Sequence, residues 1–247
     1  VAEHGVAGGG MFANFSHFLS VLLQGVPATV IATLCGIALC IVLSFIAGLG
    51  MLSPWRWVRV IARVYVEVWR GTSEVVQLFW IFFALPLLVG FELLPLWAGI
   101  LVLGLNHGAY GGEIVRGAVQ AVPKAQYECA VALNFSAVQR MWRVILPQAM
   151  VEMIPPFNNL FIQLLKSSSL LSLIFVHDIA YQGRDVLEPN FTGQTALIYL
   201  LMLALYLVLS VLITTVMRVL ERRAAAAVGR TPVEPAQALG RVEGGAV

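Results

Sequence analysis

Two short runs of polar side chains interrupt otherwise apolar sequence at helical spacing. Asn106, Tyr110 and Glu113 stand four and three residues apart, and Asn159, Gln163 and Lys166 repeat that interval. The spacing puts each trio on one face of a helix. Charged groups inside hydrocarbon are costly and mark functional sites by default. Two such stripes, one carrying a carboxylate and one an ammonium group, suit the passage of a polar solute. Glu74 and Gln77 form a further candidate pair in the preceding apolar stretch. The competing reading is that these groups only tie helices to one another.

Sets of residues for bond-making chemistry are missing. His4, His17, His107 and His177 show no ligand spacing such as H-E-x-x-H. His107 reads as a packed or hydrogen-bonded histidine. Cys35, Cys40 and Cys129 are odd in number and lack C-x-x-C spacing, so packed free thiols are expected rather than a disulfide or a metal site. No Ser–His–Asp set or paired carboxylates stand out. The phosphate-cradling G-x-x-x-x-G-K-[ST] run is absent as well, so the chain does not cradle a nucleotide by that route.

The composition says what must position these groups. Of the 247 residues, 60% are hydrophobic and only 11% are charged. Soluble domains carry about 25% charged residues. Several stretches reach the roughly 20 apolar residues that a helix needs to cross hydrocarbon. The expectation is an all-α polytopic membrane protein with five spans. Span one covers 18–50, with a break expected near Gln24, Gly25 and Pro27. Residues 57–90 hold a basic interfacial start, with Arg56, Arg59 and Arg63 at its head, and then a span with a kink near Gly71. The stretch 85–95, with a proline at each end, reads as a short outer loop. Span three is 96–119, span four 154–176 and span five 195–217, with a polar loop at 177–193. Residues 1–17 read as an extracytoplasmic segment, 18–220 as the membrane domain and 221–247 as a disordered cytoplasmic tail. No cleavable signal peptide is expected, and Val1 and Met11 both stay open as the start residue. Gly104, Gly108 and Gly112 repeat every four residues, a ridge that lets another helix approach closely.

Basic residues mark the cytoplasmic side. Arg56, Arg59 and Arg63 follow span one. Arg116, Lys124, Arg140 and Arg143 lie around residues 121–148, and Arg218, Arg222 and Arg223 end span five. The other two loops hold Glu92, Asp178, Asp185 and Glu188 against Arg184. The alternation places the N-terminus outside and the C-terminus inside.

The segment 128–149, ECAVALNFSAVQRMWRVILPQA, is too polar to cross the membrane and too well capped to be a linker. Pro123 suits the first turn of one helix. Asn134 suits the left-handed residue that ends it. Ser136 and Gln139 form a capping box for a second helix, with Val138, Met141, Trp142 and Ile145 as its apolar stripe and Pro147 closing it. The result is a rigid hairpin lying flat under the membrane.

This segment resembles the E-A-A loop of ABC importer permeases, whose pattern is E-A-A, three residues, G, nine residues, I-x-L-P. Here the matching positions are Glu128, Cys129 and Ala130, then Asn134, Val144, Leu146 and Pro147. Cys, Asn and Val replace Ala, Gly and Ile. The stretches WRGTSEVVQLFWIFFALP (69–86), AYGGEIVRGAVQAVPKAQYE (109–128), VILPQA (144–149) and LLKSSSLLSLI (164–174) are similar to the polar amino-acid uptake permeases of that class. The likeness covers about 18–220. It implies a type I importer permease, not an enzyme, that works with a separate ATPase binding ATP and magnesium. A second permease subunit, in a homo- or heterodimeric pore, and an extracytoplasmic solute-binding protein are the other implied partners. It also implies that Glu128, Cys129, Ala130, Asn134, Arg140 and Pro147 serve the ATPase contact. Family members often carry an acid where this chain has Ser167, and an apolar residue where it has Glu74. That exchange leaves open a polar amino acid or an amino-acid-derived compatible solute such as ectoine or hydroxyectoine. A self-contained secondary transporter of small zwitterions is the alternative function. It would need inverted repeats, and no motif recurs in the sequence.

Overall fold

The computed structural model describes residues 14–90 and 92–227, and all of the regular structure among them is helical. α1 spans Phe15–Met51, α2 Arg56–Gly71, α3 Glu74–Val89 and α4 Pro95–Ala121. α5 spans Lys124–Ala132, α6 Ala137–Ile174, α7 Ile179–Asn190 and α8 Thr195–Ala227. α1 and α8 are each long and apolar enough to cross a membrane alone, and the bent pairs α2–α3 and α6–α7 qualify as joined pairs. α4, at 27 residues, is about 40 Å long. The fold is an all-helical polytopic bundle of about four to five spans.

Gly104 meets Leu39, Gly108 meets Leu43, and Gly112 meets Ala47. The contacts advance in step along both chains, so α1 and α4 run parallel. The chain between them must therefore return across the membrane, and α3 does this. The glycine ridge expected from the sequence is the surface that brings α4 against α1. Polar and small residues lower the hydropathy of α4 because it lies inside the bundle: Asn106, His107, Gly108, Gly111 and Gly112 are all buried. α8 runs in the same direction along α1. Ile198 and Leu201 belong to the cluster of Phe18 and Leu22, and Met217 and Leu220 lie beside Ile41 and Phe45.

Several local expectations differ from the structure. α1 has no break near Gln24, Gly25 and Pro27; it is one 37-residue helix with Pro27 inside. Packed neighbours make proline tolerable in a membrane helix. Gly25 serves tertiary contact instead. A Cβ there would stand 2.5 Å from the backbone of Asp178. Beside it, Ile179 N–H donates to Thr29 Oγ1 at 3.2 Å, and that hydroxyl donates to the Gly25 carbonyl at 3.1 Å. The kink at Gly71 is present but is a 103° turn between α2 and α3. The polar loop 177–193 is largely helical. Asp178 caps α7 by accepting from Tyr181 N–H at 2.8 Å, and Ile179 and Leu187 are buried.

Prolines also end fewer elements than their positions imply. The outer loop expected over 85–95 begins only at Gly90, in the left-handed conformation with φ of 70°, because α3 runs through Pro86. Pro147 does not close the second arm of the hairpin, and α6 runs through it to Ile174. Each of these prolines, and Pro189 in α7, follows one widened π-type turn. Leu85 N–H donates to Trp80 O, Leu146 N–H to Met141 O, and Glu188 N–H to Gly183 O. An interior proline clashes with the carbonyl one turn back and leaves it without a donor. A turn with one extra residue moves that carbonyl clear of the ring. α8 continues past Met217 to Ala227. Residues 1–13 and 228–247, which hold most of the two expected terminal segments, lie outside the described residues.

The α1–α4 contact can be tested at Gly48. A Cβ there would stand 2.6 Å from Val115 Cβ and 2.7 Å from the Gly112 carbonyl, whereas one at Gly117 would meet nothing within 4 Å. Gly48→Val is expected to lower stability by about 1–3 kcal/mol and Gly117→Ala to leave it unchanged. Thermal unfolding of the purified protein in detergent checks this; equal midpoints would remove the close contact from the account.

Candidate functional site

Two separate regions collect the residues singled out by the sequence. The first is the break between α2 and α3. Trp69 at the end of α2 has a carbonyl freed by the turn. Gln77 Nε2 donates to it at 2.9 Å and to Thr72 Oγ1 at 2.6 Å. Asn106 Nδ2 on α4 donates to the same carbonyl at 3.0 Å and to Gln77 Oε1 at 2.9 Å. Gln77 and Asn106 are buried, so their donors and the exposed backbone of the break satisfy one another. Their primary work here is structural: they fix the angle at which α3 starts.

Glu74, the first residue of α3, lies against the same break. Its Oε2 accepts from Ser167 Oγ at 2.9 Å. Its Oε1 lies 3.6 Å from His107 Nδ1 and has no hydrogen bond among the described residues. His107 is fully buried, and its Nδ1 is 3.1 Å from the Leu103 carbonyl. The reading of His107 as a packed, hydrogen-bonded residue holds. Its position beside Glu74 was not legible, because 33 positions separate the two in sequence. Glu74 is therefore held by Ser167 on one oxygen, and its other oxygen is buried against His107.

The two polar stripes do not face each other within one chain. Asn106 turns to α3. Tyr110 lies under the Arg70 guanidinium, 5.0 Å from its ring centre. Glu113 is taken up by Arg116 at 2.6 Å and, more loosely, by Arg70 at 4.0 Å, near the end of α4 that leads to the hairpin. Arg116 also donates to Gln120 at 2.8 Å. The Glu113–Arg116 pair was visible as an i, i+3 spacing; Arg70 was not. On α6, Asn159, Gln163 and Lys166 share an exposed face, opposite the buried Phe157, Leu160, Phe161 and Leu164. Lys166 pairs with neither Glu74 nor Glu113. A groove of about 290 Å³ beside this helix, lined by Ile41, Phe45, Met153, Phe157 and Met217 among others, is apolar.

The second region is the hairpin of α5 and the start of α6. Asn134 has φ of 61°. Asn134 N–H donates to Val131 O at 2.8 Å and Phe135 N–H to Ala130 O at 3.0 Å, the paired bonds of a Schellman turn. Ser136 and Gln139 make both bonds of the capping box. Pro123 is the N-cap of α5 rather than its first helical residue. The root is tied by Tyr127 Oη donating to Val119 O at 3.1 Å and Gln148 Nε2 donating to Gln126 Oε1 at 3.3 Å. Burial pushes the Tyr127 phenol pKa up, and the Arg140 charge pulls it part of the way back. Glu128 and Cys129 are exposed, Ala130 is buried, and Arg140 is half-buried. Tyr127, Glu128, Val131, Ala132 and Arg140 line one concave patch. The stripe expected to lie against lipid does not act as one unit: Ile145 is buried in the bundle, while Val138 and Trp142 are 68% and 61% exposed. Because α6 is continuous, its first turns are the projecting end of a span rather than a helix lying flat.

Residues 40–226 match the family of binding-protein-dependent transport system inner membrane components. The chain belongs to that family. It is a multi-pass permease subunit of the inner membrane within an ABC importer, it operates with an ATPase and a binding protein, and ATP hydrolysis belongs to the separate ATPase component. Among its relatives, a probable amino-acid ABC transporter permease of Sinorhizobium fredii is 43% identical over 86% of this chain and 91% of its own length. The L-cystine transport system permease of Bacillus subtilis is 34% identical over 83% of this permease and 87% of its own length. The glutamine transport system permease of Escherichia coli is 32% identical, with 83% and 93% covered. Among solved structures, an amino acid ABC transporter crystallised with histidines superposes with a TM-score of 0.77 at 28% identity, covering 86% of this permease and 98% of that chain. A methionine ABC transporter in an inward-facing conformation, at 19% identity and a TM-score of 0.71 over 83% and 96% of the two chains, shares the fold. The ectoine expectation finds no support among these relatives.

The hairpin turn makes a direct test of the permease. Asn134→Gly is expected to keep complex assembly and transport near wild type. Asn134→Val, a β-branched residue at positive φ, should cost about 1–3 kcal/mol locally and reduce both. Equal behaviour of the two variants in co-purification and uptake assays would show that the left-handed turn does not set the hairpin.

Proposed function

We propose that this permease conducts a polar amino acid from its binding protein to the cytoplasm as one of two subunits lining a pore, with the hairpin carrying the ATPase contact. The observation that carries the reading is the continuity of α6 through Pro147. A single rigid helix then joins a surface-exposed hairpin to the face that bears Asn159, Gln163 and Lys166. A push at the hairpin would be felt at that face. The relatives named for cystine and glutamine support a polar amino acid as solute.

A lysine facing hydrocarbon is expensive, and the groove beside α6 within one chain is apolar. A second permease subunit placed against α6 gives Asn159, Gln163 and Lys166 a water-filled passage to line. Glu74, joined to Ser167 on α6, then supplies negative charge for the solute's amino group, and Lys166 offers its ammonium group to the carboxylate. Gln77, Asn106, Tyr110 and Glu113 support this passage from behind rather than touching the solute. Arg56, Arg59, Arg63, Lys124, Arg140, Arg143 and Arg218 gather at one end of the bundle, which supports a cytoplasmic hairpin and C-terminus and an external N-terminal segment. At the hairpin, Glu128, Cys129 and the turn at Asn134 lie on the outer surface with the exposed Val138 and Trp142. That surface combines an acid with apolar side chains and fits a groove on the ATPase. Ala130 and Arg140 shape it from beneath, and Pro147 lies where the arm continues into the span.

Two experiments test this reading on the complex reconstituted with its ATPase and binding protein. Glu128→Lys should reduce ATPase co-purification and solute-stimulated hydrolysis by about tenfold, the order expected when a charge-assisted contact is reversed. Wild-type import by that variant would end the coupling role. Lys166→Met and Glu74→Gln should each raise the solute concentration for half-maximal import about tenfold or more, with basal hydrolysis kept. A fall in the yield of folded complex, with unchanged affinity in what assembles, would instead make these residues structural ties.

A further inference from the structure

The surface of α2 divides into three sectors that run its whole length. Ala62, Tyr65, Val66 and Trp69 pack on α1 and α4, with Tyr65 Oη donating to the Leu105 carbonyl at 2.7 Å. Trp57, Ile61, Val64 and Val68, spaced by four, three and four, form an apolar sector that stays exposed; Trp57 is 82% accessible. Arg56, Arg59, Arg63, Glu67 and Arg70, spaced by three, four, four and three, form a charged sector. At 100° per residue the centres of the two exposed sectors lie roughly 130° apart. Arg70 is engaged by Tyr110 and Glu113. Arg56, Arg59 and Arg63 are exposed and make no ion pair or hydrogen bond among the described residues.

The position of α2 fits these faces. It turns through 103° into α3, which crosses the membrane, so α2 lies close to the plane of the leaflet. It packs on α4 between Leu105 and Glu113, set back by about 12 Å of helix from Ala121, where the hairpin begins. A helix with an apolar face, a basic face and tryptophan at its start, lying in that plane, is an interfacial helix. We propose that α2 binds anionic phospholipid headgroups in the leaflet on the hairpin side, with Arg56, Arg59 and Arg63 on the phosphates and Trp57, Ile61, Val64 and Val68 among the acyl chains. The charge complementarity is specific to lipid at this depth. An ATPase seated on the hairpin lies below α2, and a second permease subunit would leave three unpaired guanidinium groups buried.

The test uses the full chain in complex with its ATPase, reconstituted in vesicles of phosphatidylcholine that contain trace spin-labelled phosphatidylglycerol or spin-labelled phosphatidylcholine. The motionally restricted fraction of each label is read by electron paramagnetic resonance. The lipid held at the protein is expected to favour phosphatidylglycerol roughly fivefold, the weight of about one arginine near an anionic surface, and to lose most of that preference at about 1 M salt, where the screening length is near 3 Å. Arg56→Gln/Arg59→Gln/Arg63→Gln should bring the preference close to one, and the Arg→Lys triple variant should retain it. An unchanged preference in the glutamine variant overturns the proposal. So does loss of ATPase co-purification with the lipid preference intact, which would assign the arginines to the ATPase. If the glutamine variant does not assemble, a wild-type complex without selectivity at low salt overturns it and a salt-sensitive preference kept by the lysine variant supports it. The readout needs neither transport nor a solute, so it stands apart from the pore reading above.

Discussion

Lipid gives apolar helices no hydrophobic reason to leave it for one another, so this bundle depends on how closely two backbones can approach. The parallel contact of α1 and α4 supplies that approach. Gly104, Gly108, Gly112 and Gly48 present backbone where other residues would present side chains, and Leu39, Leu43 and Val115 fill the space. Once the two helices are parallel, the remaining topology follows. The chain must cross back between them, which α3 does, and α2 must bring it to the point where α3 can begin. α6 then covers α4 and carries the chain back, and α8 lies parallel along α1.

A second constraint is that backbone groups in the membrane must be paired within the helices that carry them. Proline threatens this at Pro86, Pro147 and Pro189, and each time a single widened turn absorbs it. The consequence is mechanical. At Pro147 the alternative was a hinge between the hairpin and the membrane. The π turn at Met141–Ile145 makes the two a single rod instead. In the coupling role proposed above, displacement at one end of such a rod would reach the other without being lost in a flexible joint.

Polar groups within the bundle divide by what they satisfy. Gln77 and Asn106 serve the carbonyl of Trp69 and the break around it. Glu113, Arg70 and Arg116 neutralise one another. Glu74 and Lys166 are different: one keeps an oxygen without a hydrogen bond, and the other has no partner among the described residues. Opposite charges left incomplete in a low-dielectric setting attract more strongly than in water.

The sequence by itself determined the class, the approximate number of spans and their order, and the capped turn of the hairpin. Hydropathy over about 20 residues and the cap residues Asn134, Ser136 and Gln139 are local or additive signals, so no distant contact is needed to read them. The glycine ridge on α4 was equally legible as a close-packing surface. Its partner on α1 was not, because spacing along one helix does not name the helix that will meet it. For the same reason the sequence placed Asn106, Tyr110 and Glu113 on one stripe but did not show that α3, Arg70 and Arg116 would take them up. It put Glu74 and Ser167 93 positions apart, and only the packing of α6 against α3 brought them together. Prolines misled at Pro27, Pro86 and Pro147 because a helix breaker acts through unpaired backbone groups and steric clash. Whether neighbouring helices and a widened turn can relieve them is decided by the tertiary structure alone.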